Sequence, residues 1–142
     1  MIIPVSNKNE KDWAVLCSCL WPDDAADAFL AERSKGHLPN EYLYYCDGKP
    51  CGFISLSVRT DYVEGCSDGP VAYIEGIYVR EEYRRQNAGR ELIDFAKNWA
   101  LAHDCHHLAS DCEIENKVSE AFHRKLGFKE VNRIIAFSME IN

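Results

Sequence analysis

The feature that most constrains the fold is a strand-helix-strand succession in the second half of the chain. Residues Val71–Val79 have the alternating pattern of a strand, and His106–Ser110 has the pattern of a second, shorter strand. Between them, an apolar stripe at three-to-four spacing predicts a helix with Leu92, Ile93, Ala96, Trp99 and Ala100 inward. Because a helix between two strands requires a crossover connection, we expect this half of the sheet to be partly parallel.

The remaining segments predict further helices and strands around this unit. They are a helix with Trp13, Leu16, Cys17 and Leu20 inward that Pro22 stops, a helix over Ala25–Arg33, a hairpin of Tyr42–Cys46 and Cys51–Val58, a helix over Asn116–Leu126 and a final strand over Ile134–Ile141. With 142 residues, 46% of them hydrophobic and 27% charged, the chain has the size and composition of one domain. We expect a single domain over residues 1–142 of the α/β (α+β) class, in which helices flank a mixed, partly parallel central sheet.

The charge balance restricts the possible partners. The chain has 16 Lys and Arg against 23 Asp and Glu, which gives a formal net charge of −7. This field repels phosphate backbones and attracts cations, so nucleic acid is disfavoured and a polycationic ligand is permitted. No apolar stretch reaches the ~20 residues of a membrane-spanning helix, and Met1-Ile2-Ile3-Pro4 lacks a basic leader. We expect a cytoplasmic protein without membrane contact.

The cysteines and histidines do not predict a metal site. Seven cysteines without paired C-x-x-C spacing indicate mostly free thiols in a reducing compartment. His103, His106 and His107 form an H-x-x-H-H cluster, but the expected change from helix to strand breaks the geometry that a metal needs. We expect no bound metal.

The segment Val79–Arg90 joins a strand to the start of a helix. It contains two successive arginines and the small or left-handed-tolerant run Asn87-Ala88-Gly89. Backbone N–H groups and the positive end of the helix dipole converge there, which suits a diphosphate. The alternative is an ordinary strand-to-helix loop with solvated arginines.

Two segments together resemble the GNAT N-acetyltransferase superfamily. Arg84–Gly89 is similar to the family motif (Q/R)-x-x-G-x-(G/A), with Asn87 in place of the first glycine. Asn116–Phe128 is similar to the family helix N-x-x-A-x-x-F-Y-x-x-L-G-F. The resemblance implies a GNAT-like sheet and acetyl-CoA as cosubstrate. The cofactor-binding residues that it implies are Ile77, Tyr78, Val79, Arg84, Arg85, Gln86, Asn87, Ala88, Gly89, Arg90 and Asn116.

Two of the motif positions keep an alternative interpretation. Asn116, which by resemblance contacts the pantetheine arm, is equally suited to cap a helix. His123 stands where many relatives carry a tyrosine that protonates the departing CoA thiolate. A histidine could donate that proton, and an ordinary buried histidine is the alternative.

Four further segments narrow the resemblance: Leu20-Trp21-Pro22, Asp61–Cys66, Tyr73–Val79 and Ala109-Ser110-Asp111. Together they are similar to the aminoglycoside 6'-N-acetyltransferases that are short dimeric GNAT enzymes. The resemblance implies a homodimer and an antibiotic site lined by Trp21, Tyr62, Glu75 and Asp111. Asn132 and Phe137 depart from the residues expected there, which leaves the substrate range open.

The residue types fit a polycationic amino sugar. Such a substrate needs carboxylates for its ammonium groups and aromatic rims for its sugar faces. Strand alternation places Glu75 on one face with Val71, Tyr73, Ile77 and Val79, and leaves Ala72, Ile74, Gly76 and Tyr78 on the other. A carboxylate on such an apolar face must be paired, solvated in a cleft or protonated, so Glu75 is either a site residue or half of a structural ion pair.

Asp111 follows a short strand, where ligands gather in α/β sheets, although a loop or capping role is the alternative.

No activated Cys-His or Ser-His-Asp arrangement is evident, which favours direct transfer over an acyl-enzyme. Glu75, acting through water, is the predicted proton acceptor, while N–H groups near Tyr78 and Val79 polarise the thioester. The competing functions are acetylation of another amine, such as a polyamine, an amino sugar or a peptide amine, and non-catalytic CoA-binding regulation.

Overall fold

The computed structural model describes residues 1–36, 40–67 and 69–142. Its elements in chain order are β1 (Ile2–Pro4), α1 (Glu10–Leu20), α2 (Ala26–Ser34), β2 (Asn40–Cys46), β3 (Lys49–Arg59), β4 (Val71–Val79), a 3₁₀ turn (Glu81–Tyr83), α3 (Ala88–Ala102), β5 (Leu108–Ala109) and α4 (Lys117–Lys125). The predicted helices, the hairpin and the strand at Val71–Val79 are confirmed, with boundaries shifted by a few residues. No helix in the described ranges is both long enough and apolar enough to cross a membrane.

The strands form one sheet in the order β1-β2-β3-β4-β5. Neighbours are antiparallel from β1 to β4, whereas β4 and β5 are parallel and pair Ala72 with Leu108 and Tyr73 with Ala109. The partly parallel sheet is therefore confirmed, and α3 provides the crossover connection.

Helices cover both faces of the sheet, which gives three layers. On one face, α1 and α2 pack on β2 and β3 through a buried cluster that includes Trp13, Leu43 and Phe53. On the other face, the apolar stripe of α3 packs on Ile54 and Ile74 in the larger cluster. The helices α1 and α3 bury the apolar faces that their periodicity predicts. The helices α2 and α4 contain no fully buried residue, and Val118 on α4 is 72% exposed.

A β-bulge interrupts β4 at Glu75. Ser55 and Leu56 are consecutive on β3, yet they pair with Gly76 and Ile74, so Glu75 is the extra residue. The simple alternation expected from the sequence is therefore wrong along this strand. Bulges re-aim side chains, and this one lies in the middle of the predicted site.

The bulge changes which residues share a face. Val71 and Tyr73 pack in a small cluster beside Val63, away from α3. After the bulge, Ile77 and Val79 turn to the opposite face and pack against the α3 cluster. The expected grouping of all five odd-numbered side chains on one face fails for this reason.

The end of the chain departs from the predicted strand over Ile134–Ile141. Residues 129–142, the C-terminal tail, form no regular secondary structure within the described chain, and Ile135, Phe137 and Ile141 are 80%, 90% and 89% exposed. The alternating apolar pattern is a real strand signal, but a strand needs a neighbour to pair its backbone groups. The prediction is wrong for this chain taken by itself.

The cysteines divide into free thiols and one disulfide pair. Five of them are free, as expected. Cys46 and Cys51 instead form a disulfide across the hairpin of β2 and β3. The tight turn at residues 47–48 pairs Cys46 with Lys49, and a register shift just beyond it leaves Cys51 as the extra residue of β3, with its Cα 6.1 Å from that of Cys46. The spacing rules for metal and secreted cysteines do not detect this proximity.

Candidate active site

The sheet opens between β4 and β5. Backbone pairing between them ends at Tyr73 and Ala109. From Ile74 to Val79, the outer edge of β4 has no neighbouring strand in the part of the chain that the structure describes. An extended ligand with amide groups can pair with such an edge as an added strand.

The start of α3 lies just beyond this opening. Asn87 precedes the helix with φ of 65°, and Arg85 has the same left-handed φ. Within the described ranges, no side chain caps the first turn of α3, so no side-chain acceptor satisfies its free N–H groups. Arg84 donates from Nε to the Val79 carbonyl at 2.8 Å, which ties the loop to the end of β4. The arrangement suits an anionic diphosphate.

Gly89 is required for helix packing at this position. A Cβ on Gly89 would overlap the ring of Phe122 on α4, well inside van der Waals contact. The glycine therefore lets α4 approach the first turn of α3. A side chain there would meet Phe122 before it met a ligand in the loop.

Asn116 and His123 have defined contacts at the two ends of α4. Asn116 caps the helix, because its Oδ1 accepts from the backbone N–H of Ser119 at 3.0 Å. His123 Nδ1 lies 2.7 Å from the Ser119 carbonyl, and its Nε2 lies 2.8 Å from Ser110 Oγ. A carbonyl only accepts, so Nδ1 carries the hydrogen and a neutral ring accepts from Ser110 at Nε2.

A cavity of about 370 Å³ lies on the α1 face of the sheet. Its lining residues are Trp13, Cys17, Trp21, Asp24, Phe29, Glu41, Ser55 and Glu75. Trp21 stacks on Phe29 with ring centroids 5.8 Å apart, and it also lies over Gly76, where any Cβ would collide with the indole. The walls are thus aromatic, while three carboxylates supply negative charge.

Glu75 is held by two donors from β3. Arg59 donates Nη2 to Oε1 at 2.7 Å and Nε to Oε2 at 3.0 Å, and Ser57 Oγ donates to Oε2 at 2.5 Å. Burial alone would raise the pKa of Glu75, but the hydrogen bonds from Arg59 and Ser57 and the charge of Arg59 hold it below its ordinary value. The ion-pair alternative is therefore observed, and because Glu75 also lines the cavity, its role as a site residue stays a prediction.

The same arginine connects Glu75 to Asp111. The Arg59 guanidinium lies over the Tyr73 ring, 3.4 Å from its centroid, and the Tyr73 hydroxyl donates to Asp111 Oδ2. Burial and the hydrogen bond to Asp111 raise the pKa of Tyr73, so it remains a neutral donor. Glu75 thus lines the same cavity as Trp21 and is connected to Asp111 through Arg59 and Tyr73.

The fourth residue predicted for the antibiotic site, Tyr62, lies largely in solvent. It is 81% exposed on the loop after β3, and its hydroxyl lies 3.4 Å from Glu64 Oε2. Glu64 also accepts from Asn132 Nδ2 at 3.1 Å, which ties the start of the C-terminal tail to this loop. The described contact of the Tyr62 hydroxyl is with Glu64, and Tyr62 is not among the residues that line the cavity.

Sequence reasoning did not identify Arg59, Ser57, Glu41 or Ser55 as site residues. Each is a polar residue on a strand beside Glu75 or within the cavity, and Ser55 and Ser57 share the α1 face with Phe53. Polar residues at inward positions of a strand are a signal that could have marked them. Their hydrogen-bond partners lie on neighbouring strands, so these contacts depend on the register of β2, β3 and β4.

The open sheet edge, the uncapped helix start beyond it and the adjoining acidic cavity fit the class of acyl-CoA-dependent transferases. The chain matches the Acetyltransferase (GNAT) family over residues 7–128, and it therefore belongs to this family. The aminoglycoside N(6')-acetyltransferase type 1 of Salmonella typhimurium is 35% identical to it, over 96% of this chain and 97% of the relative. That of Acinetobacter haemolyticus is 36% identical, over 99% of each.

Solved structures give the same neighbours. The apo 6'-N-acetyltransferase AAC(6')-IG from Acinetobacter haemolyticus superposes with a TM-score of 0.92 at 34% identity, over 100% of this chain and 99% of that one. AAC(6')-Iy in complex with the bisubstrate analogue CoA-S-monomethyl-acetylneamine superposes with a TM-score of 0.90 at 31% identity, over 99% and 98% of the chains.

Proposed function

We propose that the chain is an acetyl-CoA-dependent aminoglycoside 6'-N-acetyltransferase, which confers resistance by acetylating the 6'-amine directly. The observation that carries this proposal is that Glu75 adjoins two spaces at once. Its bulge interrupts β4 where the sheet opens, and its carboxylate lines the aromatic and acidic cavity. A bisubstrate analogue bound to a relative joins CoA to an acetylated aminoglycoside, which supports the same pairing here.

Acetyl-CoA is assigned to the opening beside β4. We place the pyrophosphate at the loop that joins Arg84 to Arg90, where two left-handed residues aim N–H groups outward beside three arginines. The pantetheine arm follows the free edge of β4 at Ile77, Tyr78 and Val79. N–H groups on this edge polarise the thioester oxygen.

The aminoglycoside is assigned to the cavity and the surface beyond it. Trp21 offers a flat face to a sugar, while Glu75 and Asp111 attract ammonium groups. Tyr62 is assigned to the rim of this site on the family resemblance. A carboxylate that stays ionised at neutral pH attracts the reacting amine, which must lose a proton before its nitrogen attacks the thioester carbon and the CoA thiolate leaves.

Glu75 and His123 are the residues considered for the two proton transfers, and their contacts favour different roles. Glu75, through water, is in place to take the ammonium proton, but its lowered pKa makes it a weak base and favours an orienting role. His123 is the donor that the family motif suggests for the thiolate. Its two ring nitrogens are engaged by Ser119 and Ser110, which supports a role in positioning α4.

We infer that the enzyme is a homodimer in the cytoplasm. The C-terminal tail holds an alternating set of exposed apolar side chains, and β5 is an edge strand of the sheet. A second copy that paired with these segments would bury both. The mostly free thiols, five of the seven cysteines, support a reducing compartment such as the cytoplasm.

Cofactor binding and transfer are tested separately. A thermal-shift titration with acetyl-CoA is expected to stabilise the protein by about 2.7 kcal/mol at ~100 times Kd. Thiol release with kanamycin is then followed with a chromogenic disulfide, with spermidine and an amino-terminal peptide amine as alternative acceptors. Release with spermidine or the peptide but not with kanamycin would contradict the proposal, as would the absence of any response to acetyl-CoA.

A further inference from the structure

A second carboxylate lies at the floor of the cavity, deeper than Glu75. Glu41 on β2 is only 9% exposed. Its Oε2 accepts from Trp13 Nε1 at 3.0 Å and from Ser55 Oγ. Within the described ranges, its Oε1 accepts no hydrogen bond and no Lys, Arg or His forms an ion pair with the carboxylate. One oxygen of a buried acid therefore faces the cavity without a partner.

The surroundings of Glu41 do not compensate a negative charge. Burial raises the pKa of Glu41 to about 7, against the lowering effect of its two hydrogen bonds and of distant Arg33 on α2, while the charge of Glu75 on β4 raises it further. The other groups that face it are acidic or neutral: Cys17 on α1 and Asp24 between α1 and α2. Near neutral pH the site holds either a proton or an external cation.

The serines that hold the two carboxylates are spaced as two amines of one substrate would require. Ser57 holds Glu75 and Ser55 holds Glu41, and these serines lie two residues apart on β3, a separation of about 7 Å. That distance is close to the span of one amino-sugar ring. The cavity of about 370 Å³ has room for such a ring, because it equals the volume of about a dozen water molecules.

Glu41 lies too far from the thioester edge to handle the reacting amine. Its strand is the second neighbour of β4, at about 10 Å across the sheet. We propose that Glu41 binds a non-reacting ammonium group of the aminoglycoside and gives up its own proton to solvent when that group enters. The proposal rests on the proposed function and names a specificity residue within it.

The test compares Glu41→Gln with the wild-type protein at two pH values. Glutamine keeps the size and an acceptor oxygen for Trp13 and Ser55, but it cannot carry charge. Kanamycin affinity is measured by calorimetry in the presence of CoA at about pH 8.5 and about pH 5.5. We expect Glu41→Gln to weaken binding by roughly 10- to 100-fold at the higher pH, the effect of losing a charged hydrogen bond, and to change it little at the lower pH.

A matched control and a second variant keep the result specific. Asp94→Asn removes the same charge from the exposed face of α3, on the other side of the sheet, and is expected to match the wild type at both pH values. Ser55→Ala removes a donor to the ionised carboxylate. Because that hydrogen bond lowers the pKa of Glu41, Ser55→Ala should shift the rise of kanamycin affinity with pH to a higher pH, although the carboxylate is still present.

Proton release gives an independent readout. Calorimetry of kanamycin binding near pH 7 in buffers of different ionisation enthalpy should show a larger proton release for the wild type than for Glu41→Gln. Equal proton release, equal affinity at both pH values, or an equal loss of affinity at both would overturn the proposal. If the pH-dependent loss occurs but no CoA thiol is released from acetyl-CoA, the proposed transferase function fails while the binding role of Glu41 stands.

Discussion

At the residue scale, the ion pair of Glu75 with Arg59 determines what this carboxylate can do. Two hydrogen bonds from one guanidinium fix its orientation, and the neighbouring serine completes the shell. A carboxylate stabilised in its ionised form binds cations well and accepts protons poorly. Its position at a bulge, where a strand side chain is re-aimed, is consistent with a function that plain strand geometry would not provide.

The kinetics of Glu75→Gln distinguish these two roles. We expect KM for kanamycin to rise more than kcat falls, because an ammonium contact made in both the ground and transition states is lost. Steady-state thiol release measures both constants, with Asp94→Asn as the charge control. A fall in kcat on the order of 10²–10⁴ at unchanged KM would identify Glu75 as the general base instead.

Glu41 gives a stability prediction of defined sign. Its pKa in the folded protein, about 7, lies above its ordinary value of 4.5, so the folded state holds this proton more tightly than the unfolded state. The stability that the protonated carboxyl contributes is complete below about pH 4.5 and is lost as pH rises through about 7. Glu41→Gln removes this dependence.

Urea unfolding of wild type and Glu41→Gln at about pH 4.5 and about pH 8 measures the effect. From about pH 4.5 to about pH 8, the free energy of unfolding of the wild type should fall relative to that of Glu41→Gln by on the order of 3 kcal/mol, which follows from a pKa difference of about 2.5. The exposed Asp94→Asn variant should show no comparable change. A difference between wild type and Glu41→Gln that does not vary with pH would contradict the raised pKa.

At the element scale, the close approach of α3 and α4 depends on Gly89. A methyl group there overlaps Phe122, and overpacking costs about 1–3 kcal/mol, more than the ~0.5–1 kcal/mol that alanine gains over glycine in a helix. We expect Gly89→Ala to lower the midpoint of thermal unfolding. Because leucine makes room for the added methyl group, Gly89→Ala should lower the midpoint less in the Phe122→Leu background than in the wild type. A stabilised Gly89→Ala protein would show that the helices do not meet in this way.

The elements that could be predicted from sequence are those that local patterns specify. The stripe of α3, the cap of α4 and the hairpin turn each depend on residues a few positions apart. The bulge at Glu75 and the contact with Arg59 depend on how β3 and β4 align, which no local pattern contains. Likewise, β1 is only three residues long and exists because β2 offers it an edge.

The same division between local patterns and contacts across the fold applies to the candidate site. Trp21, Glu75 and Asp111 are predicted from a family resemblance that gives their positions, and their role stays a prediction. In the structure Trp21 and Glu75 line one cavity, and Arg59 and Tyr73 connect Glu75 to Asp111. Glu41 could not be predicted, since a single acid at the start of a strand looks like a solvated residue. Its burial follows from α1 packing over β2, a contact between distant segments of the chain.

At the scale of the whole molecule, the C-terminal tail leaves the fold without burying its apolar side chains. Ile134, Phe137 and Met139 are 74%, 90% and 83% exposed in the single chain. Contiguous exposed apolar groups are typical of surfaces that contact another molecule. A second copy is the partner that the family resemblance favours.

Removal of residues 133–142 tests the dimer. The full chain should sediment as a dimer at micromolar concentration, and the truncated chain as a folded monomer, because Phe128 and Val131 retain their contacts. Analytical ultracentrifugation gives both masses, and circular dichroism verifies folding. A monomeric full-length protein, or a dimer that survives truncation, would contradict this assignment of the tail.

The central claim is that acetyl is transferred from acetyl-CoA to the 6'-amine of an aminoglycoside. The most direct measurement is CoA thiol release with neamine and with paromamine, which carries a hydroxyl in place of the 6'-amine and is otherwise the same molecule. We predict rapid release with neamine, a product acetylated at the 6' nitrogen by NMR, and only background release with paromamine. Equal release from both compounds would contradict the 6' assignment, and no release from either would contradict aminoglycoside acetylation itself.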